Sequence, residues 1–248
     1  MAEMTIPTRL KIPRELRARH LNVREATRIP GGFIRIILAG EELDGFESTG
    51  PNDHCKLFVP DGTGEMQGRH YTPLHMPGGE IAFDIVTHGD GVISSWAEKL
   101  PVGELVKVGG PRSSLEYPVG ASSLVLIGDS SAFPPIRRFL DGLPKGLRAD
   151  VVIHGDGGEY FDDRPGVFFH HVPFDLTGQS MLDRVRVLPM DRGTYVWAGG
   201  EATTLVPLRK WLRSESPIDR QAMKIDGYWK QGITDRDHHA PLDPEAGE

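Results

Sequence analysis

The sequence has little cysteine, no long apolar run and no concentration of positive charge. Cys55 is the one cysteine in 248 residues, so no disulfide can form within the chain, which favours a reducing compartment. No window approaches the roughly 20 apolar residues that span a bilayer, and the charged N-terminus lacks the apolar segment of a secretory signal. The net charge is −7, which argues against nucleic acid or a membrane surface as the main partner. These absences predict a cytoplasmic protein.

Sequence motifs for a bound metal and for a Rossmann dinucleotide site are also missing. The histidines include two adjacent pairs, at 170–171 and 238–239, whose side chains would diverge on a strand. No HExxH motif, no Cys/His ligand spacing and no G-x-G-x-x-G fingerprint occurs. Cys55 has no CxxC partner and is interpreted as structural. No protein-bound metal is therefore expected.

The first half of the chain consists of short apolar runs separated by Gly, Pro and Asp turns. Strands are predicted at 21–26, 33–38, 55–59, 80–87 and 105–108. A short helix with a hydroxyl cap is predicted at 94–100. This pattern predicts a small closed antiparallel β-barrel over residues 1–117.

Beyond about residue 118, strands alternate with helices. Strands are predicted at 123–128, 149–154, 166–169 and 194–198, and helices at 133–140 and 202–213. The continuous apolar run at 123–128 is typical of a parallel strand covered on both faces. Residues 118–235 are therefore predicted to form a doubly wound α/β domain. Residues 236–248 are rich in Asp, His, Pro and Glu and are predicted to form a flexible tail.

Polar clusters flank the predicted strand at 80–87. Before it, the Arg69 guanidinium can fork onto phosphate, the Tyr71 ring can pack on a planar cofactor, and the Thr72 hydroxyl can bond a ring nitrogen. After it, glycines allow a ligand close to the backbone, and Ser94-Ser95 opens a helix whose amides favour an anion. Each cluster alone also fits an ordinary strand or turn. Together they indicate an aromatic cofactor that carries phosphates.

The segment 128–132, Gly-Asp-Ser-Ser-Ala, has two functional interpretations and a structural one. A strand, sharp turn and helix around a serine is similar to the G-x-S-x-G nucleophile elbow of hydrolases, but Ala132 stands at the last position and an all-β half precedes. A nicotinamide site at the carboxyl end of the first parallel strand fits the context better. The structural alternative is a helix N-cap.

Six motifs in chain order resemble those of a known family. The matches are Arg69, Tyr71 and Thr72 to R-x-Y-T-x-R; His88, Gly89, Gly91, Ser94, Trp96 and Ala97 to H-G-x-G-P-A-S-x-W-A; residues 110–114 to G-P-R-G-S; residues 128–136 to G-D-E-T-A-x-P-A-I; Ala198, Gly200 and Glu201 with 208–212 to A-G-E and L-R-x-W-L; and 227–232 to G-Y-W-R-x-G. They span nearly the whole chain, which resembles the siderophore-interacting protein family.

The resemblance implies a ferredoxin-reductase-like fold, with an FAD-binding antiparallel β-barrel domain followed by an NAD(P)H-binding α/β parallel-sheet domain. It also implies an activity in which NADPH, NADH or a ferredoxin supplies electrons, FAD carries them, and a ferric siderophore is the substrate. Reduction releases iron because siderophores bind ferrous iron far more weakly than ferric iron. Neither a nucleic acid nor a membrane is implied as a partner.

The resemblance also assigns roles to residues. It places Thr72 near flavin N5 as the catalytic position. The implied cofactor-binding residues are Arg69, His70, Tyr71, Thr72, Asp84, Val86, His88, Gly89, Gly91, Ser94, Ser95 and Trp96. The implied nicotinamide-binding residues are Asp129, Ser130, Ser131, Gly200 and Glu201. A hypothetical basic rim for an anionic siderophore consists of Lys56, Arg112 and Lys230, each of which alone also fits a solvated surface charge.

The sequence departs from the family pattern at three places. Leu74 replaces the second arginine of the flavin motif, Ser130-Ser131 replaces Glu-Thr, and Gly199 stands where alanine is common. These departures leave two alternatives open. One is a flavoprotein of the same scaffold diverted to another redox or biosynthetic reaction, and the other is a non-catalytic protein that binds flavin or siderophore.

Overall fold

A computed structural model describes residues 5–87, 91–233 and 240–243. The chain divides into two compact units. The barrel unit is Leu10–Glu116. The α/β unit contains the described residues from Tyr117 onward and also the described residues up to Arg9.

The barrel unit is built on antiparallel strands with one helix. Its elements are β1 (Lys11–Pro13), β2 (Ala18–Ile29), β3 (Phe33–Ala39), β4 (Cys55–Pro60), β5 (Met66–Tyr71), β6 (Leu74–His75), β7 (Ile81–Val86), α1 (Val92–Glu98), β8 (Leu105–Gly109) and β9 (Ser113–Leu115). Seven strands form one sheet in the order β5-β4-β8-β2-β3-β7-β6, and β1 pairs with β9 separately. All these pairings are antiparallel.

One face of this sheet is the core of the barrel unit. Alternate residues of each strand point inward, such as Ile34, Ile36 and Leu38 of β3, because successive strand side chains leave on opposite faces. The edge strand β5 curls back over this face, since the Tyr71 ring packs on the Phe83 ring of β7 at a centroid distance of 6.2 Å. The sheet thus has the curvature of a barrel.

The α/β unit is a parallel sheet with helices on both faces. Its elements are β10 (Ser123–Gly128), α2 (Phe133–Asp141), β11 (Arg148–His154), β12 (Val167–Val172), α3 (Gln179–Arg186), β13 (Thr194–Glu201), α4 (Ala202–Ser214) and β14 (Met223–Trp229). The strand order is β12-β11-β10-β13-β14, with every pair parallel. One face packs on α3 and α4. The other packs on α2, where the Phe139 and Trp197 rings lie 5.6 Å apart.

The structure confirms the predicted fold class. At both ends of the chain, the described residues lie in units other than the predicted domain boundaries gave. The described residues up to Arg9 belong with the α/β unit, because the Arg9 guanidinium donates a 3.1 Å hydrogen bond to the Tyr195 hydroxyl. Part of the predicted flexible tail is packed: Leu242 lies in the core beside α4, and Asp243 pairs with Lys210 at 2.9 Å. The rest of that tail lies outside the described residues.

Helix α1 begins earlier than predicted. Its N-cap is Gly91, which has no side chain to cap the helix, and Ser94 lies inside the first turn. The predicted hydroxyl cap is therefore wrong.

Within the described ranges, no helix is long and apolar enough to cross a membrane.

Candidate cofactor and nicotinamide sites

In the barrel unit, strand β5 brings Arg69 and Tyr71 to one face. They stand opposite Leu57 and Cys55 of β4, both fully buried, so their side chains leave toward the core face. Tyr71 packs on the barrel core from its rim, and burial raises the pKa of its phenol above the usual value. The phenol therefore stays neutral at physiological pH and offers an uncharged ring beside the Arg69 guanidinium.

His70 and Lys56 leave on the opposite face of the sheet. The two residues are cross-strand neighbours, and the His70 ring meets the His54 ring edge-on at 5.1 Å. The Lys56 ammonium lies 5.6 Å from the centre of the Phe58 ring, and Lys107 lies 5.1 Å from the same ring. Strand alternation places His70 and Lys56 on the face opposite Arg69 and Tyr71. The roles of His70 at the cofactor and of Lys56 at the substrate stay predictions.

Thr72 and Leu74 follow the end of β5. Thr72 is buried, with 7% of its surface exposed, directly beyond Tyr71. Leu74, at the position of the family's second arginine, packs in an apolar cluster with Ile37 and Ala82. An apolar side chain that packs in this cluster therefore stands where the family has a charge.

Helix α1 carries Ser94 to the same region, since the helix packs against both β5 and β7. The Ser94 hydroxyl is buried, and it has no hydrogen-bond partner among the residues that the structure describes. Ser95, the next residue, is exposed. Among the described residues, a Cβ on Gly91 would meet no neighbouring atom closer than 3.9 Å. The predicted residues His88 and Gly89 lie outside the described residues.

Three other predicted cofactor residues belong to the scaffold. The Trp96 ring is 4% exposed in the barrel core, and its indole N–H donates to a Glu104 carboxylate oxygen at 2.8 Å. The Asp84 carboxylate accepts two hydrogen bonds of 2.7 Å from the Arg35 guanidinium. Val86 shares the Asp84 face of β7, opposite the face that carries Phe83. The Asp84 carboxylate and the Trp96 indole N–H are thus both engaged by other residues of the barrel unit.

In the α/β unit, Asp129 ties together the carboxyl ends of three strands. Its Oδ1 accepts the Ser131 N–H at 2.9 Å and the Ser131 hydroxyl. Its Oδ2 accepts the Glu201 N–H at 2.8 Å and the Trp229 indole N–H at 2.9 Å. Both oxygens are therefore engaged, which favours a positioning role for Asp129, and its predicted contact with nicotinamide stays a prediction. The hydrolase interpretation also loses support, because the Ser131 hydroxyl is committed to this turn.

Glu201 and Gly200 complete the same turn. The Glu201 carboxylate, 1% exposed, accepts the Thr204 N–H at 2.8 Å and the Gln231 N–H at 3.2 Å, so it caps α4 and holds the segment after β14. Its predicted nicotinamide contact likewise stays a prediction. Gly200 has φ +147°, and a Cβ there would lie 2.7 Å from Asp129 Oδ2. The glycine is required by the close approach of that carboxylate.

The departure at Gly199 has a structural reason. A Cβ at this position would lie 2.7 Å from the Trp197 ring and 3.3 Å from Ala132 Cβ. Trp197 is fully buried on the same strand, so its large ring fills the space that an alanine methyl would take.

An aromatic row, which sequence reasoning did not select, runs along the same edge of the sheet. The His154 ring lies 4.7 Å from the Phe174 ring, and Phe174 stacks on Trp229 at 6.2 Å with 15° between their planes. Phe174 is 40% exposed and Trp229 37%, so part of the row faces solvent. His154 Nε2 accepts the Asp175 N–H at 3.1 Å, and burial lowers the pKa of His154. The family motif around Trp229 was the available signal for this row.

The other two predicted rim residues, Arg112 and Lys230, both reach the surface of their units. Arg112 is exposed after the Gly110–Pro111 bond, and Lys230 is partly exposed directly after Trp229. Within residues 5–87, 91–233 and 240–243, no group of three or more His, Cys, Asp or Glu side chains is placed to hold a metal ion.

The barrel residues fit a flavin nucleotide chemically. Arg69 supplies a forked cation for phosphate, and Tyr71 supplies a neutral ring. Ser94 supplies a buried hydroxyl that has no partner among the described residues. An orphaned buried hydroxyl costs free energy unless a ligand supplies its hydrogen bond. This donor set suits FAD better than a purely apolar ligand.

Comparison with known proteins gives the family of both units. A model described as siderophore-interacting FAD-binding domain matches residues 65–115, and one described as siderophore-interacting protein matches residues 121–232. An NADPH-dependent ferric-chelate reductase of Escherichia coli (strain K12) is 30% identical over 244 residues, which cover 88% of this chain and 95% of the relative. A ferric vibriobactin reductase, ViuB, of Vibrio cholerae is 27% identical over 239 residues, covering 84% and 87%.

Solved structures give the same answer for the fold. A siderophore utilization protein from T. fusca aligns with a TM-score of 0.83 at 27% identity, covering 94% of this chain and all (100%) of the other. A ferredoxin NADP+ reductase from Neisseria gonorrhoeae aligns with a TM-score of 0.62 at 11% identity, covering 87% and 100%, which shows a shared fold alone.

Proposed function

This chain belongs to the siderophore-interacting protein family, and from that premise we propose that it is an FAD-dependent reductase of ferric siderophores that uses NADPH. The similarity to reductases covers nearly the whole chain, and both the FAD-binding and the siderophore-interacting models match. Bound FAD would supply the redox chemistry, taking two electrons from one NADPH and delivering them singly to two ferric ions. The protein supplies position and charge.

The buried Ser94 hydroxyl is the observation that carries the cofactor assignment. We propose that the Ser94 hydroxyl donates a hydrogen bond to an FAD phosphate oxygen. We also propose that the Arg69 guanidinium supplies positive charge to the same phosphates. Tyr71 would pack on the planar ring from the barrel rim, and Thr72 would lie beside the reactive ring nitrogen. Trp96 would act indirectly, because its hydrogen bond to Glu104 fixes α1, which carries Ser94. Asp84 would act indirectly by tying β3 to β7, the strand on which the Tyr71 ring packs.

On the α/β unit, we propose that NADPH binds along the carboxyl ends of the parallel strands. Ser130 and the turn amides would bond its polar groups, and the exposed part of the Phe174–Trp229 stack would take an aromatic ring. Asp129 would hold Trp229 in place through the indole hydrogen bond. In this arrangement the buried carboxylates of Asp129 and Glu201 hold other groups in place and do not themselves contact NADPH.

Arg112, Lys230 and Lys56 remain candidates for binding an anionic substrate. The ammonium groups of Lys56 and Lys107 both lie against the Phe58 ring. A reducing cytoplasm is the proposed compartment, in keeping with a single, fully buried cysteine. Ferredoxin is kept as an alternative electron donor.

The direct test measures flavin content and iron reduction together. The purified protein is expected to bind FAD and to release ferrous iron from a ferric siderophore, followed with a ferrous-specific chelator, with NADPH in excess. NADH and reduced ferredoxin serve as parallel donors. A protein that takes up no FAD would overturn the proposal. A flavoprotein that reduces no ferric chelate with any donor would indicate a diverted reaction on this scaffold.

A further inference from the structure

The α/β unit has a cationic pocket on another part of its surface. The pocket, of about 360 Å³, lies between the C-terminal half of α4, the edge strand β14 and the segment 240–242. Four cations line it: Arg209 and Arg213 from α4, and Arg220 and Lys224 from the turn and strand that follow. It includes Met223, the first residue of β14, whereas the proposed nicotinamide site uses Trp229 at the opposite end of that strand.

The lining residues that the structure describes carry four cations and one carboxylate. Asp226 is the one carboxylate among the lining residues, and it pairs with the Lys224 ammonium. Asp243 pairs with Lys210 at 2.9 Å. In the described part of the chain, neither Arg213 nor Arg220 forms an ion pair with a carboxylate. Cations therefore outnumber carboxylates among the described lining residues, and Asp243, just beyond them, attracts the Arg209 guanidinium as well as pairing with Lys210.

The cations also repel each other. Arg209 and Arg213 are four residues apart on α4 and so lie on one helix face, where like charges destabilise each other. Arg209 is only 9% exposed, and burial followed by the charge of Arg213 lowers its pKa. The helix dipole favours a cation in the last turn, which accounts for Arg213. It does not account for Arg220 and Lys224, which come from other elements.

We propose that this pocket binds a small organic phosphate. Guanidinium groups match phosphate oxygens through paired hydrogen bonds, and three arginines converge here. Met223, Ile225 and Leu242 supply apolar surface for the organic part of the ligand. The volume falls in the range of small-molecule sites, about 300–1,000 Å³, which suits a nucleoside phosphate.

The test is calorimetric titration of the FAD-loaded protein with ADP, inorganic pyrophosphate and citrate at one ionic strength. Saturable binding of ADP or pyrophosphate is expected. The double variant Arg213→Ala/Arg220→Ala should weaken it at least about tenfold, because two charge-assisted contacts are lost. The KM for NADPH should stay unchanged, which separates this pocket from the nicotinamide site.

A matched control removes the same charge elsewhere on the α/β unit. The variant Lys145→Ala/Arg192→Ala changes two exposed cations outside the pocket and should bind ADP like the wild type. If the alanine variant unfolds, Arg213→Lys/Arg220→Lys keeps the charge but loses the paired hydrogen bonds, and weaker binding is again expected. No saturable binding of any phosphate, tighter binding of citrate alone, or equal effects of pocket and control variants would overturn the proposal.

Discussion

Replacing Ser94 with alanine should have opposite effects on the cofactor-free and the FAD-bound protein. The Ser94 hydroxyl is buried and unpaired in the described structure. An unsatisfied buried polar group costs about 1–3 kcal/mol. Because 7% of the residue remains exposed, the lower end applies. Ser94→Ala should therefore raise the unfolding free energy of the cofactor-free protein by about 1 kcal/mol, which corresponds to about 2–4 °C in Tm.

The same change should weaken FAD binding. A hydrogen bond from the hydroxyl to a charged phosphate contributes about 1.5–3 kcal/mol, so the Kd should rise roughly tenfold or more. Thermal unfolding of the cofactor-free protein and flavin fluorescence titration measure the two effects separately. A gain in stability together with a loss of affinity is the signature of a hydroxyl kept for a ligand.

Ser114 provides the matched control. It is fully buried in the same unit, but its hydroxyl donates to Asp53 Oδ2 at 2.6 Å and accepts from Arg14 Nε at 3.2 Å. Ser114→Ala should lower the unfolding free energy by about 1–3 kcal/mol and leave FAD affinity unchanged. If Ser94→Ala destabilised the protein as Ser114→Ala does, or left the FAD affinity intact, the assignment of Ser94 would be wrong.

Three further predictions concern the α/β unit. Gly200→Ala should lower the unfolding free energy by at least about 2 kcal/mol more than Gly146→Ala, because both have positive φ but only position 200 adds a contact of 2.7 Å; urea unfolding compares them. Asp129→Asn turns one acceptor into a donor that faces bound N–H groups, so it should cost about 2–3 kcal/mol in the same assay and raise the KM for NADPH. Burial lowers the pKa of His154 below 6.5, so protonation favours the unfolded chain and the unfolding free energy should fall as the pH drops below that value. His154→Gln should flatten this fall between about pH 7 and pH 5, and an unchanged slope would contradict the assignment.

Sequence patterns were sufficient for the elements whose burial is regular. β10 is apolar from Leu124 to Ile127 and buried at five of its six residues, and β3 is buried at five of its seven, so both were predicted. β14 was not predicted because it is an edge strand of mixed, half-buried residues, Met223–Trp229. Helix α3 was also missed, since only Met181, Leu182 and Val185 of its eight residues are buried.

The candidate sites depend on contacts that local patterns do not contain. The indole of Trp229 bonds Asp129 across 100 positions, and Arg35 bonds Asp84 across 49. The family resemblance assigned these carboxylates to ligands, whereas in the described structure their oxygens accept hydrogen bonds from other residues of the chain. The face of β5 was readable in principle, because His70 alternates with Arg69 and Tyr71 on any strand. The sequence does not show that the Ser94 hydroxyl has no hydrogen-bond partner among the described residues, because this depends on what α1 packs against.

The packing of Arg9 has a consequence for the order in which the chain can fold during synthesis. Its guanidinium lies 5.3 Å from the centre of the Phe139 ring and also bonds the Tyr195 hydroxyl. Both partners are synthesised more than a hundred residues after Arg9, so these contacts cannot form until then. The barrel unit, residues 10–116, is complete as soon as its last strand leaves the ribosome. The α/β unit must instead keep its first segment free until the second half emerges. A fragment that starts at residue 117 would lack this arginine and should fold less stably than the same fragment with residues 5–9 supplied as a peptide.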